Sequence, residues 1–339
     1  MKVILHVGFM KTGSTFLQRQ VIPKLGVHHF DDPKYVGPGP TEVLSQLSSM
    51  KWNEAAADEA KIKLLNFFKS LEEGDGPNYG KTLFSWEGIV CHPLLGFLNQ
   101  DRVADLMKDI FPDAKILMTI RKQDDFAESL YVQTIHNYRW GSVNNFLNRN
   151  GGAFDPYTFK GWRANPQISV LDLDWNEVVD LYTSRFGADN VLVLPYELLV
   201  ENRLEYLEKW CGFIDCAVPA DIDWKYENRS FSKFSFSVAR VLNMFVRQKG
   251  TPLGFIVNRP FCDRLLPHIT HNRAARLAYG VFRRMDLRRI LQTYVDKVYW
   301  SPAHPFDDNL KKAILDIHKE ANRELGKKTG LELEKYGYF

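Results

Sequence analysis

Apolar residues along this chain follow two kinds of pattern. Short unbroken runs occur at "KVILHV" (2–7), "KTLFSW" (81–86), "AKILMTI" (114–120) and "NVLVLPY" (190–196). Runs of that length, rich in β-branched residues and apolar on both faces, predict buried parallel strands. Elsewhere the spacing changes to three and four. Residues 53–73 predict a helix capped by Asn53 and stopped at Gly74. "DWNEVVDLYTSRFG" predicts another, with Asp174 as cap, Glu177 three residues on and Gly187 as the stop. Phe126, Leu130, Tyr131, Ile135 and Tyr138 share one face of a third. Residues 140–170, rich in Gly, Asn and aromatics, predict a long irregular excursion, a feature that is often functional. Beyond about residue 232 the pattern is helical to residue 339, with no internal repeat.

Strands alternating with helices predict an α/β fold, a parallel sheet flanked by helices with a helical C-terminal region. The expected division is a core over 1–240 and a helical extension over 241–339 packed on it, with one single domain as the alternative. At 339 residues, 45% hydrophobic and 25% charged, the chain resembles an ordinary globular protein with a sizeable core. A net charge of +3 is too small to argue for nucleic acid as a partner. Cys91, Cys211, Cys216 and Cys262 show no CxxC pair or metal spacing, which fits a reduced compartment. "KVILHVGF" is too short for a secretory leader, and no apolar run is long enough to span a membrane. A cytoplasmic location is the expectation.

The chemistry starts at "GFMKTGST", directly after the first predicted strand. Gly8 and Gly13 have the spacing of a phosphate-binding loop, and Thr12, Ser14 and Thr15 add hydroxyls. Such a loop points backbone N–H groups at an anion, and the following helix adds its dipole. In nucleoside triphosphatases a lysine follows the second glycine, beside a magnesium site. Here Lys11 sits inside the loop, nearer the group being transferred and its leaving oxygen. A second anion motif is "TIRKQDDFAESLYVQ", with Arg121 at a strand end and Ser129 eight residues on in the next helix. Arg is suited to bidentate phosphate contacts, and open α/β sheets bind ligands at the carboxyl ends of their strands. Two anion sites at one sheet edge predict a nucleotide phosphorylated at two positions.

These motifs resemble those of sulfotransferases that use 3′-phosphoadenosine 5′-phosphosulfate (PAPS), of the bacterial, carbohydrate-directed kind. "GFMKTGSTFLQ" is similar to the family's 5′-phosphosulfate loop, lysine position included, and "RKQDDFAESLY" to its 3′-phosphate motif. "VLVLPYELLVEN" resembles the later strand whose aromatic ring, here Tyr196, lies near adenine. "ANRELGKKTGLELEKYGYF" resembles the ending of bacterial members. The resemblance covers residues 1–240 firmly and thins from there to about 310. It implies a P-loop-type fold, PAPS as co-substrate, no metal, and a saccharide or glycoconjugate acceptor. The "RKG" tripeptide of cytosolic small-molecule members is missing, so Arg229 or Lys233 of "WKYENRSFSK" is the expected substitute at the 3′-phosphate.

Sulfuryl transfer moves SO3 in line from a phosphate oxygen to an acceptor hydroxyl. Sulfate carries less charge than a γ-phosphate, so Lys11 can do a metal's work at the leaving oxygen. The acceptor hydroxyl also needs a base. "FSWEGIVCHP" offers Glu87 at the strand end and His92 beyond it. Heparan-type members carry a Glu at the corresponding place and small-molecule enzymes a His. Glu87, nearest the strand end, is preferred.

Trp140, Tyr157 and Trp162 in the excursion are suited to stacking on sugar rings. "THNRAARLAYGVFRRMDLRRI" carries six arginines and one acid. It fits an acidic glycan or peripheral membrane contact, although a solvated helix face is the plainer reading. Two rival functions share the loop. A small-molecule kinase would need a magnesium-binding Asp at a strand end, and a non-catalytic nucleotide-binding module would not need Glu87.

Overall fold

The computed structural model describes residues 2–30, 40–49, 51–73, 80–157, 166–224, 231–246, 290–296 and 301–339. Strand β1 (Lys2–Gly8) leads through a loop into a helical run, α1. This run comprises Ser14–Phe16, a wider π-helical turn at Leu17–Val21 and a tight turn at Ile22–Lys24. There follow β2 (His28–Phe30), α2 (Pro40–Ser49), α3 (Glu54–Glu73), β3 (Lys81–Ser85), α4 (Gln100–Ile110), β4 (Lys115–Ile120), α5 (Gln123–His136) and α6 (Val143–Phe146). A small hairpin pairs β5 (Arg149–Asn150) with β6 (Ala153–Phe154). Then come α7 (Trp175–Phe186), β7 (Val191–Pro195), α8 (Tyr196–Glu201), α9 (Arg203–Phe213), α10 (Lys233–Leu242) and α11 (Asp308–Thr329).

The four predicted strands all form, within a residue or two of the expected limits. With β2 they make a five-stranded sheet in the order β2-β3-β1-β4-β7, every neighbouring pair parallel. The fold is therefore α/β, as expected, and β1 is its central strand. Alternate strand residues serve opposite faces, as the period of two requires. Leu5, Val7, Phe84, Ile116 and Met118 enter a large core under α3, α4, α5, α7 and α11. Ile4, Leu83, Leu117 and Leu194 enter a smaller one under α1 and α9.

The caps explain where two helices start. Ala56 N–H donates to Asn53 Oδ1 at 3.2 Å, and Asp174 Oδ1 accepts from the N–H groups of Asn176 and Glu177 at 2.9 and 3.2 Å. Gly74, the expected stop of α3, lies outside the described residues. Two expectations need correction. The excursion at 140–170 is not wholly irregular, because it holds α6 and the β5–β6 hairpin. The helical reading beyond 232 stops at Thr329, where Gly330 at φ 70 turns the chain into the non-helical segment Leu331–Phe339. Among the described residues no helix is long and apolar enough to cross a membrane.

One buried polar group on β1 has a measurable consequence. His6 is 1% exposed, with Nδ1 2.7 Å from Ser85 Oγ and its ring edge-on to Trp210. Burial pushes its pKa down from 6.5 to about 4. A depressed histidine pKa means that the unfolded chain takes up the proton first. Its stabilising contribution is complete above pH 6.5 and is lost as pH falls toward 4. Urea unfolding should show wild type losing about 2–3 kcal/mol more than His6→Asn between pH 7 and pH 4. Equal losses in both proteins would refute this. Asp124 and Asp172, both pushed up to about 6 by burial, oppose the trend but cancel in the comparison.

Candidate functional site

The loop between β1 and α1 crosses the carboxyl edge of the sheet at its centre. Gly13 has φ 86 and ψ 5, the left-handed conformation that glycine adopts freely. A Cβ there would also lie 2.5 Å from Leu199 Cδ2 and 3.4 Å from the Tyr196 ring. Both conditions explain the glycine. Lys11 is left-handed as well, at φ 65, a conformation uncommon for a residue with a Cβ. Its Nζ donates to Gln133 Oε1 at 3.2 Å. Its carbonyl accepts from Arg121 Nη1 at 2.9 Å. The loop and the end of β4, 110 residues apart in sequence, therefore meet through Lys11.

Arg121 is held on several sides. Its guanidinium lies over the Tyr196 ring, 4.7 Å from the centroid, and its carbonyl accepts from Trp175 Nε1 at 2.7 Å. The Arg121 Nε is buried with no hydrogen-bond partner. An orphaned guanidinium N–H is costly unless an anion supplies the acceptor, which is what a phosphate oxygen does. Ser129 and Gln133 lie four apart on α5, hence on one face, and both are half-buried. That face carries the Arg121 motif on to the lysine amine.

The structure separates the two candidate bases. Glu87 opens a short turn directly after β3, and its Oε1 accepts from Ser14 Oγ. That places the carboxylate against the first helical residue after the loop. His92 is spent differently. Its Nδ1 caps the turn Pro93–Leu95 by accepting Leu94 N–H at 3.1 Å, and burial pushes its pKa down to about 4. The Nδ1 lone pair is thereby committed to the backbone.

The hydroxyls also divide. Thr12 is 0% exposed and donates to Phe9 O, so it closes the loop internally and leaves only backbone for a ligand. Ser14 is 4% exposed and meets Glu87, whereas Thr15 is half-buried. Arg229 and Trp162 lie outside the described residues, as do the six arginines. Lys233 opens α10 with an exposed side chain, its N–H donating to Ser301 O at 2.7 Å. Tyr157 donates its hydroxyl to Leu94 O at 3.1 Å and stacks its ring on Gly96, over the turn that His92 caps. Two residues at the site carried no sequence signal of their own, Gln133 and Trp175, whereas Glu197 belongs to the Tyr-Glu pair of "VLVLPYELLVEN". The one available hint was that Gln133 lies a turn beyond Ser129.

A groove of ≈ 850 Å³ lies between the start of α4 and α7, lined by Asp101, Asp172, Asp174, Glu177 and Asp180 with Arg102. Five carboxylates against one guanidinium repel a polyphosphate.

No protein-family model matches this chain, and no curated protein sequence matches it. Solved structures are similar to it at a distance. A sulfotransferase from Alicyclobacillus acidocaldarius shares 16% identity at a TM-score of 0.43, over 81% of this chain and 98% of that one. A sulfotransferase domain from the curacin biosynthetic pathway shares 11% at 0.40, over 67% and 78%. A mouse sulfotransferase complexed with PAP shares 15% at 0.31, over 86% and 89%.

Proposed function

We propose that this chain is a sulfotransferase that moves a sulfuryl group from PAPS to a hydroxyl of a saccharide or glycoconjugate. The observation that carries the reading is the convergence on Lys11. One residue offers an amine at the sulfuryl end of a glycine loop and a backbone carbonyl to the arginine of a second anion motif. A ligand spanning both needs anionic groups at two separated positions, as a 3′,5′-bisphosphorylated nucleoside has.

The residues fit such a donor. The loop N–H groups from Lys11 to Thr15, with the Ser14 and Thr15 hydroxyls, hold its 5′ end. Arg121 and Ser129 hold the 3′-phosphate, with the unsatisfied Arg121 Nε as one donor, and Tyr196 offers its ring to the adenine. Lys11 neutralises charge that develops on the leaving phosphate oxygen, and Glu87 accepts the proton of the attacking hydroxyl. The Ser14–Glu87 contact sets the carboxylate against the first helical residue after the loop. A carboxylate at the strand end, with His92 committed elsewhere, favours the saccharide acceptor.

Thermal or chemical unfolding with the desulfo product, 3′-phosphoadenosine 5′-phosphate (PAP), tests the donor. PAP at a hundredfold excess over its dissociation constant should stabilise the fold by about 2.7 kcal/mol. Adenosine diphosphate, which lacks the 3′-phosphate, should stabilise it less at equal concentration. Equal shifts would remove the second anion site and return the kinase reading.

A further inference from the structure

The peptide unit joining Arg121 to Lys122 is held at both ends by side chains of other elements. Its carbonyl accepts from Trp175 Nε1 at 2.7 Å, and its N–H donates to Glu197 Oε1 at 3.0 Å. A peptide unit is planar, so two bonds pulling in opposite directions fix its rotation about the chain. That rotation sets where the Arg121 side chain leaves the backbone. Trp175 is 0% exposed and is braced by Phe9 and Phe126. Glu197 is braced by Tyr338, whose hydroxyl donates to Oε2 at 2.9 Å.

Tyr338 is itself fixed. It is 0% exposed within the segment Leu331–Phe339, and its carbonyl accepts from Asn322 Nδ2 at 3.0 Å. Asn322 and Gln123 exchange side-chain amide bonds at 2.8 and 3.0 Å, both residues fully buried. The strut thus runs from Tyr338 back to the first residue of α5, two positions after Arg121. A phenylalanine at 338 and an apolar residue at 197 would fill the same space. A half-buried carboxylate committed to donors from two other elements costs desolvation that core packing does not require. Its geometry serves the neighbouring arginine.

We propose that Glu197 and Tyr338 are positioning residues that aim Arg121 at the 3′-phosphate of the donor. The segment Leu331–Phe339 then sets the preference for 3′-phosphorylated nucleotides. This rests on the donor reading given above. Without the Tyr338 hydroxyl, Glu197 loses the bond that fixes Oε2 and the Lys122 N–H loses a fixed acceptor. The loop, which holds the 5′ end, keeps its own bonds.

The experiment compares full-length wild type, Tyr338→Phe and Glu197→Gln by calorimetry with PAP and with adenosine diphosphate. It adds hydrogen exchange at the Lys122 amide without nucleotide. Tyr338→Phe should weaken PAP about tenfold, as expected for one lost hydrogen bond to a charged group, and adenosine diphosphate within about twofold. The Lys122 amide should exchange faster. Glu197→Gln has one oxygen for two donors and should show the same selective loss at about threefold; it decides the matter should Tyr338→Phe not fold. Unchanged PAP affinity with unchanged exchange in a folded variant overturns the proposal, as does equal weakening of both nucleotides. Wild type that binds both nucleotides alike overturns the donor reading instead, and exchange at Lys122 then decides the strut alone.

Discussion

Lys11→Met is expected to lower the rate of sulfuryl transfer about 10³-fold, the upper range for removing one preorganised electrostatic partner of a transition state. Methionine keeps an unbranched stem, so the left-handed backbone at φ 65 is no more strained than with lysine. What disappears is the charge next to the leaving oxygen. PAP should still bind within a few-fold, because the loop N–H groups and Arg121 remain. Lys11→Arg should rescue poorly, since a planar fork does not replace a compact ammonium held by Gln133 at 3.2 Å. The same assay run with EDTA separates the rival chemistry. Wild-type transfer should be insensitive to the chelator, with product followed by mass spectrometry over a glycan panel. A wild-type rate abolished by EDTA and restored by magnesium would hand the site to a kinase. A Lys11→Met enzyme with near-normal turnover would remove the lysine from the chemistry.

Glu87→Gln should lower turnover by roughly 10²–10⁴, the span typical of a general base, with PAP affinity nearly unchanged. The contact with Ser14 gives this prediction a control. If Glu87 served only to hold Ser14, Ser14→Ala would reproduce the whole loss. As a base, Glu87 leaves Ser14→Ala with a raised donor KM and most of its kcat. His92→Ala should cost little in rate, because its imidazole is neutral and capped onto Leu94. Matched losses in Ser14→Ala and Glu87→Gln, or a dead His92→Ala, would each reassign the base.

The four long strands were legible because parallel strands covered on both faces leave continuous apolar runs. β2 was not, since "HHF" is three residues with no period to detect. The Phe126–Ile135 face was legible, yet α5 is buried on its polar side as well. There Glu128 accepts from Phe306 N–H at 2.9 Å and pairs with Lys311 and His304 at 3.0 Å. Those partners arrive some 180 residues later, and local periodicity carries no trace of them. The same limit separates the site residues. Lys11, Arg121 and Glu87 stand at strand ends, where position alone predicts convergence. Gln133, Trp175, Glu197 and Tyr338 act through contacts set by the tertiary fold. Thr12 and His92 show the reverse: residue types suited to binding or catalysis that the local backbone uses for its own hydrogen bonds.

The pairing of Gln123 with Asn322 spans 199 residues, and this separation bears on biosynthesis. At about 5–20 residues per second, the central strand, the loop and Arg121 leave the ribosome roughly 10–40 s before Asn322 does. During that interval the nascent chain can form its sheet but not the brace behind the arginine. On the proposed role of the brace, high affinity for a 3′-phosphorylated nucleotide arises late, after most of the polypeptide has emerged.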